Sequence, residues 1–272
     1  MRILQLSDIH FGRHAVAAYH AAVLRRVAAG RYDAVVLAGD LTQRNFAAQF
    51  RAARAFCDAV RRNAPLLVVP GNHDVAWWWQ PVGLGARSLL LRGYRKWIAE
   101  ELEPQLRLPG VQFVGLNSCH GVQPYTLTTR LRDLSVVGAV RPEQWAKASA
   151  AFRAADPGDL KVLVFHHNLL RGDLSARWGL VNRASGIKEA HATGADLVLN
   201  GHDHQTRIEA VELDGRRMVV SHSTSFCERT RGGLASAFQE IEVAPKALTI
   251  RACVWEAAAG DFSPRQDRIF QR

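Results

Sequence analysis

The sequence predicts an α/β fold whose ligand crevice lies at the carboxyl ends of parallel strands. Three observations predict it. Short apolar, β-branched or Leu-rich runs alternate with helical patterns through the first two thirds of the chain. Five of these runs end in Asp, Asn or His, and in an open α/β sheet the strand ends converge on one crevice. Beyond residue 205 the pattern changes to short segments around Ile208–Leu213, Met218–Ser221, Ser236–Val243 and Leu248–Val254, which read as antiparallel strands.

Each element has its own signal. The strand runs are Ile3–Leu6, Ala34–Ala38, Leu66–Val69, Val162–Phe165 and Leu197–Leu199. His14 to Gly30 reads as an Ala-rich helix closed by Gly30. In the next helix Phe46, Phe50, Ala53, Cys57 and Val60 fall at helical spacing, with Arg51, Arg54, Arg61 and Arg62 mostly on other faces. Pro142 opens a helix over Gln144–Ala155, and Arg183–Thr193 forms a further one. Asp214-Gly215 is a hairpin turn between the first two late strands. The chain reads as a single domain over 1–272, without repeats, low-complexity tracts or long linkers.

The residues at the strand ends carry the chemistry. Asp8-Ile9-His10, Gly39-Asp40, Gly71-Asn72-His73-Asp74, His166-His167 and Gly201-His202-Asp203-His204 follow the five runs in order. Imidazole together with Asp and Asn oxygens suits Mn, Fe or Zn, whereas an all-oxygen set suits Mg or Ca. Asp8 and His10, two apart in an extended segment, project to one side. His202 and His204 have the same spacing and could serve one metal each. Asp40 stands alone at a strand end, which suits a carboxylate shared by two ions about 3.5–4 Å apart, the spacing that clamps a phosphoryl group. A single His at a strand end is more often a hydrogen-bonded core residue than a ligand, and a lone Gly-Asp is a common turn. Five such motifs in register point to metal. His14, His20, His120, His191 and His222 fall outside the motifs and read as structural or solvated. His167 either alternates away from His166 on a strand or lies near substrate.

This set resembles the calcineurin-like metallophosphoesterases. The matching motifs span residues 8–204, about three quarters of the chain. The resemblance implies a four-layer αββα sandwich with two mixed β-sheets and a binuclear centre at the strand C-terminal ends. It implies Asp8, His10, Asp40 and His204 as ligands of one metal, and Asp40, Asn72, His166 and His202 as ligands of the other. His73 then resembles the general acid that protonates the leaving oxygen, with Asp74 as its orienting partner. Ser7-Asp8-Ile9-His10, Phe165-His166-His167 and the compact length look most like bacterial class III cyclic-nucleotide phosphodiesterases. The expected activity is hydrolysis of a cyclic nucleotide or related small phosphodiester. Arg44 and Asn168, with Gln43 and Asn45, follow the metal loops and are candidate substrate contacts.

Composition narrows the alternatives. The chain has 272 residues, 48% of them apolar, and a formal charge of +10. Five of its 35 cations are Lys and the other 30 are Arg, the residue that pairs bidentately with phosphate. They are scattered, at Arg25, Arg61, Arg130, Arg216, Arg229 and Arg231 among others, which fits a solvated face or recruitment to an anionic surface. No basic stripe interleaved with aromatics marks a nucleic-acid channel, so nucleic acid is not the expected partner. No apolar run approaches the roughly 20 residues that span a bilayer, and the amino terminus does not read as a signal peptide. Four widely spaced cysteines suit reduced thiols in a cytoplasmic location.

One segment departs from plain scaffold. Trp77-Trp78-Trp79, Leu89-Leu90-Leu91, Tyr94, Trp97 and Ile98 follow the third metal loop with Arg87, Arg92, Arg95 and Lys96 interleaved, and four of the seven tryptophans fall there. Residues 76–104 fit a helical cap insertion. Its aromatic face either packs on the body or, over Trp77–Ile98, makes peripheral contact with the inner face of a membrane. The second choice suits a lipid pyrophosphohydrolase such as the relatives that cleave UDP-diacylglucosamine, although that branch lacks His in the Gly-Asn-x-Asp loop where this chain has His73. A nuclease lacks a capping domain after residue 204, and a noncatalytic interaction module would be expected to have lost ligands that are all present here.

Overall fold

The computed structural model describes residues 1–76, 87–127 and 136–272. Its elements run β1 (Arg2–Leu6), α1 (Ala17–Ala28), β2 (Ala34–Ala38), α2 (Ala47–Arg61), β3 (Leu66–Val69), α3 (Arg87–Leu90), α4 (Arg92–Trp97), β4 (Gln105–Leu108) and β5 (Val111–Gly115). They continue with α5 (Pro142–Arg153), β6 (Leu160–Val164), α6 (Arg183–Ala192), β7 (Leu197–Asn200), β8 (Arg207–Leu213), β9 (Arg216–His222), β10 (Ala237–Val243), β11 (Ala247–Glu256), β12 (Asp261–Pro264) and β13 (Arg268–Gln271).

The strands form two mixed sheets. The first has the order β12-β11-β10-β1-β2-β3, with β13 also paired to β11; the second has the order β4-β5-β6-β7-β9-β8. In the first, β1, β2 and β3 are parallel and β10 returns antiparallel to β1. In the second, β5, β6, β7 and β9 are parallel, while β4 and β8 are antiparallel edges.

Side-chain alternation along the strands divides the core into three slabs. Ile3, Val36 and Val69 from the first sheet meet Phe113, Val164 and Leu199 from the second in a dry layer between the sheets. On the outer face of the first sheet, Leu4, Leu6 and Leu37 pack against Val23 of α1, Phe50 and Val60 of α2, and Tyr94 of α4. On the outer face of the second, Leu163, Phe165 and Val198 pack against Trp145, Ala148 and Phe152 of α5 and Ala190 of α6. Helix, sheet, sheet, helix is the expected four-layer sandwich, and strands covered on both faces read as unbroken apolar runs for that reason.

Buried polar residues interrupt the dry layer near the strand ends, Gln5 among them. Gln5 is buried; its amide nitrogen donates to the carbonyls of Asn200 and Ser221 at 3.0 and 2.9 Å, and its oxygen accepts from Ser221 Oγ at 2.8 Å. These bonds tie β1 to β7 and β9 directly beneath the strand ends, which fixes one sheet against the other where the crevice opens.

Several sequence expectations need refinement. The late strands are not one antiparallel group: the β8–β9 hairpin joins the second sheet, with β9 parallel to β7, while β10 to β13 extend the first. Its turn is as expected, with Asp214 at φ 50° and Gly215 at φ 73°. The β4–β5 hairpin turning at Gly110 was not marked by the pattern. Within the candidate cap, Leu90, Leu91, Tyr94 and Ile98 are buried in the first sheet's outer slab, and Tyr94 Oη donates to the Val68 carbonyl at 3.1 Å. Trp77, Trp78 and Trp79 lie outside the described residues.

Candidate metal centre

All five loops after β1, β2, β3, β6 and β7 meet at one crevice. The backbone there is unusual. Eight non-glycine residues have positive φ among the described residues, and Asp8, His10, Asp40, His202 and His204 are five of them, at 54°, 49°, 53°, 74° and 56°. Left-handed backbone costs an L-residue on the order of 1 kcal/mol or more, and such strain persists where surrounding bonds over-determine it. Here Asp8 N donates to the Gly39 carbonyl at 3.1 Å, His10 N to the Asp40 carbonyl at 3.0 Å, and His202 N to Asp8 Oδ2 at 3.0 Å. Each turn aims a donor atom inward where a continuing strand would aim it past the crevice.

The donors fall into two groups that share one carboxylate. In the first, His204 Nε2 lies 3.2 Å from Asp8 Oδ1 and 3.4 Å from His10 Nε2, and His10 Nε2 lies 3.7 Å from Asp40 Oδ2. In the second, Asn72 Oδ1 lies 2.9 Å from His202 Nδ1 and 3.1 Å from His166 Nε2, which is 3.4 Å from Asp40 Oδ1. The two oxygens of Asp40 thus face different groups, the arrangement expected of a bridging ligand.

Three features of the donor set fit cations. His166 Nδ1 donates to the Ala38 carbonyl and His204 Nδ1 to the Arg229 carbonyl, both at 2.8 Å, which fixes tautomers with a lone pair on Nε2. His10 Nδ1 faces the Thr42 carbonyl in the same sense, so the His10 and His204 lone pairs point at each other across 3.4 Å. A cation between them removes that repulsion. The buried Asp8 Oδ1 has no hydrogen-bond partner, and such an oxygen is costly unless something positive completes it. In the metal-free protein that charge comes from protons. Burial opposes ionisation of Asp8, but His204 and His166 hold its carboxyl well below the usual range. Burial likewise opposes ionisation of Asp40, which His166 and His73 outweigh. His166 is raised to about 9 by Asp40 against its own burial, while burial pushes His10 down to about 3.

His73 stands beside the shared carboxylate. Its backbone N donates to Asp40 Oδ1 at 2.8 Å, its ring centroid is 4.8 Å from that of His10, and its Nδ1 donates to the Gln43 carbonyl at 2.7 Å. That last bond leaves proton exchange with a substrate to Nε2. Asp74 has another task than orienting the ring. Its buried carboxylate accepts Leu41 N, Thr42 N, Thr42 Oγ1 and Gly71 N at 2.8–3.1 Å, tying the second and third metal loops together. Burial and nearby Asp40 push its carboxyl up to about 6, against the backbone bonds from Gly71, Thr42 and Leu41.

The remaining candidates separate. Arg44 lines the cleft with Gln43, Asn72, His73, His202 and His204. Asn168 is buried outside that lining, and its amide donates to the Leu170 and Arg177 carbonyls, shaping its own loop. His167 is buried: Ser118 Oγ lies 2.8 Å from Nδ1, Nε2 donates to the Val136 carbonyl at 2.9 Å, and the ring packs against His202. The cleft also contains Arg177, Trp178, Arg229 and Arg231. Nothing in their local sequence marks them as cleft residues, because they arrive on loops outside the motifs themselves.

Two shared-ligand donor groups at the strand ends of a four-layer sandwich define a binuclear metal hydrolase. The chain belongs to the calcineurin-like phosphoesterase family, whose model matches residues 1–206, and it is a metal-dependent phosphoester hydrolase. No curated protein sequence matches it. Among solved structures it is similar to a purple acid phosphatase from yellow lupin (Lupinus luteus), at 12% identity and TM-score 0.69, with 100% of this chain and 54% of that one covered. It is also similar to GAP50, the anchor in the inner membrane complex of Plasmodium, at 12% identity and TM-score 0.55, covering 98% and 89%. A predicted phosphoesterase from Streptococcus pneumoniae matches at 13% identity and TM-score 0.48, covering 100% and 97%. The chain spans about half the length of the lupin enzyme, and these similarities are similarities of fold.

Proposed function

We propose that the protein is a phosphodiesterase acting on a cyclic nucleotide or a related small phosphodiester, with Mn, Fe or Zn as its ions. The observation that carries this reading is the cleft of about 560 Å³ in which Asp40 is shared by two donor groups beside His73. Asp8, His10, Asp40 and His204 would hold one ion and Asp40, Asn72, His166 and His202 the other. Such ions polarise the phosphoryl oxygens and make bound water acidic enough to ionise near neutral pH. The chain's own groups do the rest. Asn72 contributes a neutral oxygen, so the centre keeps positive charge toward an anionic substrate. His73, with Nδ1–H held by the Gln43 carbonyl, presents Nε2 to protonate a leaving alkoxide, an assistance of about 10²–10⁴ in rate. Arg44 at the cleft wall suits a phosphate contact.

The lipid pyrophosphohydrolase reading has less support. Leu90, Leu91, Tyr94 and Ile98, apolar groups a lipid cap would offer, are spent on the core. No helix among the described residues is long and apolar enough to cross a membrane. Four buried, unpaired cysteines suit the reducing cytoplasm we propose as its location. A panel with Mn²⁺ comprising bis(p-nitrophenyl) phosphate, cyclic AMP, cyclic GMP, UDP-diacylglucosamine and single-stranded DNA tests the proposal. Turnover of the first three is expected. Preference for the lipid substrate or the DNA, or no turnover with any divalent metal, would overturn it.

A further inference from the structure

Four arginines that neither donor group uses line the cleft: Arg44, Arg177, Arg229 and Arg231. Arg177 and Arg229 both line it, and neither guanidinium has a carboxylate partner among the described residues. That sets them apart from Arg26, Arg54, Arg107, Arg207, Arg217 and Arg251, which each face an acid. It also sets them apart from Arg231 in the same cleft, whose Nε donates to the Asp203 carbonyl at 2.9 Å.

Their backbones are fixed relative to the metal ligands. The Arg229 carbonyl accepts from His204 Nδ1 at 2.8 Å. The Arg177 carbonyl accepts from Gly172 N at 2.9 Å and Asn168 Nδ2 at 3.3 Å, in the loop that follows His166 and His167. The two guanidinium groups therefore come from different loops and hang from a preorganised frame, which lowers the entropy cost of holding a ligand. Trp178, next to Arg177, lines the same cleft. A volume of about 560 Å³ exceeds what one phosphoryl group needs and is in the range of small-ligand sites. Arg177 is half-buried and Arg229 exposed at the cleft mouth, and a mono-anionic diester bound at the metals would leave both without a counter-charge.

Resting on the phosphodiesterase reading above, we infer that Arg177 and Arg229 bind a second anionic group of the substrate. The substrate class is then a nucleotide with a second phosphoryl group joined to the scissile one. In the reaction, water oxygen bonds to the attacked phosphorus and the bridging P–O bond breaks. Two phosphomonoesters result, and the two water protons end on the products or in solvent.

Two probes differ by one phosphoryl group, adenylyl-adenosine with one and diadenosine diphosphate with two, and comparing their ratio between wild type and variants cancels the difference in leaving group. The wild-type enzyme with Mn²⁺ should have the higher kcat/KM on the diphosphate. Arg177→Ala and Arg229→Ala should each lower the diphosphate-to-monophosphate ratio by about 10- to 100-fold, the scale of a charge-assisted bond. The Lys variants, which keep charge and bulk but lose the fork, should lower it less and serve if an Ala variant fails to fold. Arg153→Ala, on the exposed end of α5, should keep the ratio, which separates contact from general charge. An unchanged ratio in folded, metal-replete variants overturns the inference. So does a wild-type enzyme that hydrolyses bis(p-nitrophenyl) phosphate but does not favour the diphosphate. Failure of the wild type on all three substrates instead overturns the phosphodiesterase reading itself.

Discussion

Replacing Gly71 with Ala should disable the centre while leaving the protein folded. A Cβ built on Gly71 would lie 2.0 Å from Asp40 N and 2.1 Å from Asp40 Oδ1, where real Cβ contacts essentially never fall under 3.0 Å. Gly71 has φ −108°, so the need for glycine comes from close approach and not from left-handed backbone. Relief requires a shift of about 1 Å between the third metal loop and the residue both donor groups share. A misplacement of that size costs about 100-fold in rate, and overpacking costs about 1–3 kcal/mol of stability. In a chain of this length each kcal/mol lowers Tm by roughly 2–4 °C, so the variant should stay folded at room temperature. Mn²⁺-supported hydrolysis of bis(p-nitrophenyl) phosphate, metal content and thermal melting measure the three effects. Two bound ions with wild-type kcat/KM in Gly71→Ala would refute the role given to this contact and to Asp40.

Asp40→Ala should lose at least one ion, because one carboxylate faces both groups, whereas His191→Ala should keep both; elemental analysis showing two ions in Asp40→Ala would sink the bridging assignment. His73→Ala should retain metal and lose about 10²–10⁴ in kcat on an alkoxide leaving group, with a smaller loss on p-nitrophenolate, which needs little protonation; equal losses on both would count against the acid role. His20 sits among the rings of Phe11, Phe56 and Phe226, and burial lowers its pKa to about 4. The folded state then binds fewer protons than the unfolded one below the ordinary His value of about 6.5, so stability present above that pH is lost as pH falls toward 4, on the order of 3 kcal/mol. Chelator-treated His20→Phe should show a correspondingly flatter acid limb in chemical denaturation, and an unchanged limb would refute the burial argument.

The candidate metal ligands were legible because their chemistry is local. Asp8, His10, Asp40, Asn72, His166, His202 and His204 each follow an apolar strand, and a strand end in an α/β sheet is already a position in space. The strands themselves were legible because both faces are covered and the sequence cannot alternate. Legibility stopped where a role depends on what a side chain meets. Asp74 sits beside His73 in sequence, yet its carboxylate is taken up by the backbone of Leu41, Thr42 and Gly71. Asn168 follows two histidines at a strand end, yet turns into its own loop.

The sequence by itself determined the α/β class, the donor set and the order in which the donors appear, since apolar periodicity and ligand chemistry are properties of short segments. Only the tertiary structure decided which sheet each late strand joins, that Gln5 bonds one sheet to the other, and that Arg177, Trp178 and Arg229 line the metal cleft. The physical reason is that these depend on contacts between residues far apart in the chain. Hydrophobic burial specifies which face of a strand turns inward, but is indifferent to which of two apolar sheets receives it, and no local pattern records which loops will meet.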